Sequence, residues 1–451
     1  LPNGPEMAAS FVAVAACATT APLNPSYKKD EYDFYLSDLN ARALLVEKDS
    51  QSPAVAAARE QGIQILELET QPDSPAGAFI IRANENGQFA QNEDTGMAGP
   101  DDVALVLHTS GTTSRPKIVP LQHGNVCASA ANIQNTLCLE TSDVCLNIMP
   151  LFHIHGLMAA VLATLGRGGS VCCTPGFDAL KFYAWLEQAN PTWYTAVPTM
   201  HQAILARAKR NQEAVNNARL RFIRSSSSSL PAQVLHELED LFGVPVVEAY
   251  AMTEASHQMT CNQLPPGVRK PGTVGCAAGP EVAIMDEVKA DLLPQGQTGE
   301  IVIRGRNVTA GYESNPIANA ENFVAGWFRT GDQGVMDEDG YLTITGRLKE
   351  IINRGGEKIS PREVDDILMD HAAVAQVVTF AMPHKSLGEE VAAAVVLKEG
   401  ETTDESSIRS FASERLASFK VPRKVLILDE IPKGATGKLQ RIGLAEKLGL
   451  A

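Results

Sequence analysis

An α/β fold divided into a large N-terminal and a small C-terminal domain is predicted by three features of the sequence. Helical and strand-like patterns alternate through roughly the first 270 residues, as expected when strands of one sheet are joined by helices. From about Thr273 short strands of alternating polarity take over, separated by glycine-rich turns, and after Gly346-Arg347-Leu348-Lys349 the αβ rhythm returns. The length of 451 residues also exceeds what one hydrophobic core usually supports. We therefore expect an αβ-layered N-terminal domain over residues 1–348, with a β-rich subdomain at about 273–348, and a C-terminal α+β domain over residues 349–451.

In chain order, residues 7–21 are apolar and read as a buried helix stopped by Pro22, residues 30–37 as an amphipathic helix, and residues 43–46 as a short buried strand. A polar stretch at 84–102 precedes the apolar strand 103–107, which runs into the hydroxyl-rich segment 108–117. Strands are expected at 144–149, 170–173, 193–197, 222–224 and 246–249, with helical stretches between several of them, and in the β-rich part at 300–304 and 341–344. Beyond 349, residues 361–369 and 405–416 read as helices, and 374–382 and 391–397 as strands. The sequence has no internal repeat. Its one low-complexity run is the serine block 225–229, whose plain reading is a loop ending in the N-cap of the helix after Pro231.

Hydrophobic residues at 44% and charged residues at 20% are ordinary for a soluble fold, and no apolar run approaches the roughly 18 residues of a membrane span. A formal net charge of −15 argues against nucleic acid as a partner, because binding it requires basic surface that displaces counterions from phosphates. An anionic ligand must then be held by local donors. The cysteines at 17, 127, 138, 145, 172, 173, 261 and 276 show no CxxC spacing and read as reduced core thiols of an intracellular, cytoplasmic protein. The adjacent Cys172-Cys173 leaves a redox pair open beside simple packing. The first residues do not resemble a signal peptide, and Leu448-Gly449-Leu450-Ala451 is not a Ser-Lys-Leu type of peroxisomal signal, although a peroxisomal location stays open. The sequence does not fix an oligomeric state.

Between Thr109 and Lys117 lie Ser110, Gly111, Thr112, Thr113, Ser114, Arg115 and Pro116. Small residues let backbone N–H groups approach phosphate oxygens, while hydroxyls and a lysine add donors, so ATP is the natural ligand. The segment is not a Walker A loop: no Gly-Lys-Ser/Thr closes it, and Pro116 and Pro120 keep a helix from starting directly behind it. Taken alone, such a turn reads equally as a solvated loop. His153 and His155 on a strand would share one face and could pair on a metal, but no third ligand stands at useful spacing.

Four further segments follow in order: Tyr250-Ala251-Met252-Thr253-Glu254, Trp327-Phe328-Arg329-Thr330-Gly331-Asp332, Gly346-Arg347-Leu348-Lys349-Glu350 and Pro432-Lys433-Gly434-Ala435-Thr436-Gly437-Lys438. With the hydroxyl-rich segment, they make the chain resemble the acyl-adenylate-forming, AMP-binding superfamily over essentially its whole length. Within it the chain is most similar to the plant and fungal oxalate–CoA ligase group, through residues 107–120, 150–157, 193–199, 248–254 and 352–361.

The resemblance implies an enzyme that activates a small carboxylic acid with ATP and Mg²⁺ as an acyl-adenylate and passes the acyl group to coenzyme A. Position by position, it implies that Thr109, Ser110, Gly111, Thr112, Thr113 and Lys117 grip the β- and γ-phosphates. Glu254 holds the metal, Thr253 lies at the α-phosphate, and Glu248, Ala249 and Tyr250 lie against the adenine. Asp332 accepts both ribose hydroxyls, with Arg347 nearby, and Lys438 bridges the attacking carboxylate and the α-phosphate. His153 lines the acid pocket and gates coenzyme A, while Ser225, Ser227 and His257 offer donors to a second carboxylate. Lys349 is the hinge of a mobile C-terminal domain, Gly355 and Gly356 face coenzyme A, and His155 is left to packing.

Ser114 and Ile118 stand where most of the family has glycine, and Ile118 is unusual even in the oxalate-type group. The chain opens where the family has already passed a first strand and helix, so its N-terminus is expected to be incomplete. Two other readings stay open: a ligase for malonate, a hydroxycinnamate or a medium-chain fatty acid, and a catalytically silent binding protein. Lys438, Glu254 and Asp332 weigh against the latter.

Overall fold

The computed structural model of the chain describes residues 1–71, 73–83, 96–109, 116–432 and 439–450. Its centre is a seven-stranded sheet in the spatial order Cys276–Ala277, His257–Cys261, Val246–Met252, Phe222–Ser226, Trp193–Ala196, Val144–Asn147, Ser170–Cys173. The last five strands run parallel, and the first two add an antiparallel edge. Because a parallel sheet is covered on both faces, its strands are apolar on both sides, and successive residues feed different cores. Tyr194, Ile223 and Val246 pack with Phe182, Leu186 and Leu238 from the helices Phe182–Ala189 and Ala232–Phe242. Their neighbours Trp193, Phe222 and Val247 face the other way, against Ile133 and Leu137 of the helix His123–Thr136 and its surroundings.

Smaller sheets surround this one. Ala43–Glu47, Gln64–Glu69 and Ile80–Ala83 form a three-stranded sheet, and Val103–Thr109 pairs antiparallel with Lys117–Gln122. The β-rich part is a sheet of Leu292–Leu293, Glu281–Met285, Thr298–Arg304, Trp327–Met336 and Phe323–Val324, with Leu342–Arg347 paired to Trp327–Met336. The small C-terminal domain has its own sheet, Glu357–Ile359, Ile352–Arg354, Gly388–Leu397 and Val374–His384, with Lys424–Ile427 alongside Gly388–Leu397. Its core contains Ile352, Ile359, Val364, Leu368, Val391, Ile408 and Val425, so it buries its own apolar surface.

The α/β class and the three-part character agree with the sequence, but several local readings do not. The first helix is Pro5–Ala15, well short of Pro22. It ends early because Thr20 must be extended to pair with the strand Val103–Thr109, its N–H donating to Ala104 O at 3.0 Å and its carbonyl accepting from Val106 at 2.8 Å. The serine block is not a loop with a cap: Ser225 and Ser226 complete a buried strand, and no side chain caps the helix after Pro231. Nor are the cysteines all core thiols. All eight are free, but Cys17, Cys127 and Cys138 are exposed, and only Cys145 and Cys261 are buried. Among the described residues no helix is long and apolar enough to cross a membrane.

Candidate active site

The carboxyl ends of the parallel strands converge on one side of the large sheet, the place where open α/β sheets receive their ligands. Asn147 leads through Pro150 to His153 and His155, Ser226 leads to Ser227, and Met252 leads to Thr253 and Glu254. The chain then reverses sharply. Thr253–Ala255 is a single 3₁₀ turn, Ser256 is left-handed (φ 49°), and His257 sits at φ 105°, a conformation costly for any residue with a side chain. The Ser129 hydroxyl holds this reversal by donating to Ser256 O at 2.6 Å. The result sets His257 back toward the sheet, its ring stacked on that of His155 with centroids 4.9 Å apart.

Charged groups gather on one flank. Glu254 is buried, and one carboxylate oxygen accepts from the Tyr312 hydroxyl at 2.8 Å. Burial pushes its carboxyl up, with Tyr312, Lys117 and Arg347 pulling the other way. Lys117 lies 4.3 Å from the centroid of the Tyr312 ring. Its ammonium is held down by burial, opposed by Glu254 and reinforced by the like charge of Lys349. Asp332 is also buried. One of its oxygens accepts from the Tyr250 hydroxyl at 2.5 Å and the other from Arg347 Nε at 3.0 Å, leaving each with a second lone pair. Arg347 faces Asp332 in the register of their strands, and the carboxylate holds the guanidinium pKa up. Glu248 is buried as well, and burial pushes its carboxyl to about 7 despite Arg362 nearby. A buried carboxylate beside a lysine and an arginine suits a polyanion carrying a divalent cation: the basic groups would meet the anion, and the metal's charge would restore the ionised form of Glu254.

On the other flank lies a wholly buried polar set. His155 is 0% exposed, its Nδ1 lying 3.0 Å from Ser227 Oγ and its Nε2 2.6 Å from Thr195 Oγ1. Arg224, also fully buried, donates to Thr195 Oγ1 at 3.4 Å and to Gln258 Oε1 at 3.2 Å. His153 is half-buried, and its Nδ1 accepts the backbone N–H of His155 at 3.3 Å. The two histidines are not on a strand, as a shared metal would require: His155 opens the π-helical segment His155–Leu162. That segment packs so closely on Pro150 that a Cβ on Gly156 would lie 2.4 Å from Pro150 O. Among the described residues no group of three or more His, Cys, Asp or Glu could hold a metal.

The C-terminal domain meets this region at several points. Lys349 sits in the 3₁₀ turn Leu348–Glu350, directly after the strand that carries Arg347. Arg362 donates to Ile344 O at 2.6 Å, and Ser360 Oγ contacts Thr345 O. Arg441 bridges Glu350 at 3.2 Å and Asp365 at 2.6 Å, tying the chain just beyond Lys438 to the turn at Lys349. Gly355 and Gly356, both with positive φ, form the turn between Ile352–Arg354 and Glu357–Ile359. Of the expected phosphate loop only Thr109 and Lys117, which pair across their two strands, are described. Ser110, Gly111, Thr112 and Thr113 lie outside the described residues, as does Lys438. Ile118 extends the second of those strands, pairing with His108, and its carbonyl accepts from Glu313 at 3.0 Å.

The structure thus brings together Glu254, Lys117, Asp332, Arg347, Tyr250 and Lys349, and separately His153, Ser227 and His257. Ser225 stands apart, enclosed in its strand, its hydroxyl meeting no hydrogen-bond partner among the described residues. Tyr312, Thr195, Arg224 and Gln258 are residues that the sequence reading misses. Arg224 offers one signal: a lone arginine in an otherwise apolar strand.

A charged cluster at the carboxyl ends of a parallel sheet, beside a second small domain, defines an α/β enzyme that binds an anionic ligand. The AMP-binding enzyme family matches residues 1–313, and the AMP-binding enzyme C-terminal domain matches residues 363–438. The chain belongs to the AMP-binding enzyme family. It is 47% identical to an oxalate–CoA ligase of Arabidopsis thaliana, over 98% of its own length and 86% of that protein's. It is 45% identical to an oxalate–CoA ligase of Saccharomyces cerevisiae, over 98% and 85%. Among solved structures, ATP-bound MatB from Rhodopseudomonas palustris superposes with a TM-score of 0.85 at 31% identity, covering 98% of this chain and 86% of that one.

Proposed function

We propose that this chain is an AMP-forming oxalate–CoA ligase. It is an acid–CoA ligase: an oxalate carboxylate attacks the α-phosphate of ATP, oxalyl-adenylate forms and diphosphate leaves, and the coenzyme A thiol then displaces AMP to give oxalyl-CoA. The observation that carries the choice of acid is the pair Ser227 and His257, set against the buried His155 beside the Glu254 cluster. A pocket lined by donors favours an acid with a second carboxylate, because an apolar acyl chain would leave those donors unpaired.

In this reading Lys117 and the segment 109–113 hold the β- and γ-phosphates, Thr253 the α-phosphate, Asp332 with Arg347 the ribose, and Glu248, Ala249 and Tyr250 the adenine. Glu254 would hold Mg²⁺, which would supply charge neutralisation at the phosphates. Lys438 stabilises the charge that builds between carboxylate and α-phosphate. His153 and the turn at Gly355-Gly356 lie on the coenzyme A side, and residues 349–451 rotate about Lys349 between the two half-reactions. Its work is in the cytoplasm, in keeping with eight free thiols. Replacing His257 with Ala tests the acid site: the KM for oxalate should rise at least about 10-fold, the worth of one hydrogen bond to a charged group, while the KM for ATP stays within about 2-fold. An unchanged oxalate KM contradicts the assignment.

A further inference from the structure

Arg224 is a buried cation whose hydrogen bonds run to neutral groups. It lies at 0% exposure in the strand Phe222–Ser226, and among the described residues no carboxylate pairs with it. Such a charge is costly to bury, and single-sided pairing with Thr195 and Gln258 is an unusual way to keep it.

Its consequence lies in the direction it gives to a chain of hydrogen bonds. A guanidinium only donates. Arg224 Nη1, which can only donate, faces both Thr195 Oγ1 at 3.4 Å and His155 Nε2 at 3.5 Å, and the Thr195 hydroxyl, accepting from the guanidinium, has its single proton available for Nε2, 2.6 Å away. With two donors turned toward it, Nε2 is the accepting nitrogen of the ring. A neutral imidazole whose Nε2 accepts carries its proton on Nδ1. That proton faces Ser227 Oγ at 3.0 Å, so the serine oxygen accepts and its own proton is left to point elsewhere. Ser227 sits at the carboxyl end of the strand, half-buried and held at φ 73°, beside the stacked rings of His155 and His257.

We infer that Arg224 is a positioning residue for acid selection: acting through Thr195 and His155, it fixes the tautomer of His155 and so commits the Ser227 hydroxyl to donate to a carboxylate of the bound acid. The inference rests on the reading that the acid lies between Ser227 and His257. It adds that this pair recognises charge by a hydroxyl of fixed polarity, which could otherwise have served as donor or acceptor.

Nitrogen-15 NMR of histidine-labelled enzyme, without ligands and at about pH 7, reads the tautomer directly, with the His155 signal identified by its loss in His155→Asn. The expected result is a neutral ring protonated on Nδ1. In Arg224→Gln the signal should become a mixture of tautomers, and the KM for oxalate should rise at least about 10-fold with the KM for ATP within about 2-fold. Should Arg224→Gln fail to fold, the wild-type spectrum and Ser227→Ala decide, the latter being expected to raise the oxalate KM by a similar factor. A wild-type His155 protonated on Nε2 or doubly protonated overturns the relay, as does an oxalate KM indifferent to both variants. Because the spectrum is taken with no acid present, the tautomer it reads does not depend on the choice of substrate. An Nδ1-protonated ring in an enzyme inactive on oxalate upholds the relay and sinks the oxalate reading, and the variants are then compared on whichever acid is turned over.

Discussion

Glu254 is the residue proposed to hold the cation. Its carboxylate is out of water, donated to by Tyr312 and faced by Lys117 and Arg347, and burial still lifts its pKa above the ordinary value. A glutamine of the same shape keeps the Tyr312 contact and the packing but removes the charge. We predict that Glu254→Gln folds normally, with an unchanged circular dichroism spectrum, and loses at least about 10²-fold in acid-dependent ATP–diphosphate exchange, by analogy with removing one stabilising group from developing charge. Full exchange in this variant contradicts its role. Glu248 presents the complementary case. Its carboxyl is raised to about 7 from 4.5 by burial, so the folded chain binds a proton more tightly than the unfolded one. Its contribution to stability is then fully present below pH 4.5 and is lost as pH rises through 7. We expect the ligand-free Glu248→Gln variant to lose less of its thermal midpoint than the parent between about pH 5 and about pH 8. Parallel losses in the two proteins contradict this.

At the scale of elements, the turn Leu348–Glu350 joins the strand that holds Asp332's partner Arg347 to a domain with its own core. Among the described residues, contacts between the domains include Arg362 to Ile344 O, Ser360 to Thr345 O and Gln202 to Ala375 O, while Arg441 braces the turn itself by bridging Glu350 and Asp365. Polar contacts of this kind can be exchanged for water, which suits a domain that changes pose. Proline at 349 fixes φ at the pivot, so Lys349→Pro should preserve one half-reaction and lose the complete cycle, whereas Lys438→Ala should slow adenylation at least about 10²-fold yet leave thioester formation from supplied acyl-adenylate. Separate assays of the two half-reactions check both variants. Unimpaired turnover by Lys349→Pro, or equal loss of both half-reactions in Lys438→Ala, contradicts a two-pose cycle. Elements defined by local chemistry are legible in the sequence. The helix Pro361–Met369 is placed to the residue because Ser360 caps it, Pro361 opens it and its apolar residues keep helical period. The helix near the N-terminus reads too long because pairing of Thr20 with Ala104, 84 residues away, has no local trace.

Across the whole molecule, the same distinction separates what the sequence discloses of the site from what it hides. Lys117 is legible from the hydroxyl-rich segment that it closes, whereas Glu254, Asp332 and Lys349 come into view only through the family resemblance of the short segments that carry them. The set of His155, Thr195 and Arg224 is not legible, since it is assembled from partners 29 to 69 residues apart that meet only when parallel strands stack side by side. The parallel sheet thus does two things at once: it aligns the ends of five strands into one rim, and it buries the linked polar groups of His155, Thr195 and Arg224 behind it. The central claim is that this rim activates oxalate. Its most direct test is ATP–diphosphate exchange with oxalate, malonate, a hydroxycinnamate and hexanoate, each compared by kcat/KM on the same preparation. The account predicts that oxalate exceeds the monocarboxylates by at least about 10²-fold, the discrimination expected when a buried donor is left unpaired by the wrong substrate. Exchange with hexanoate or the hydroxycinnamate as fast as with oxalate would contradict it.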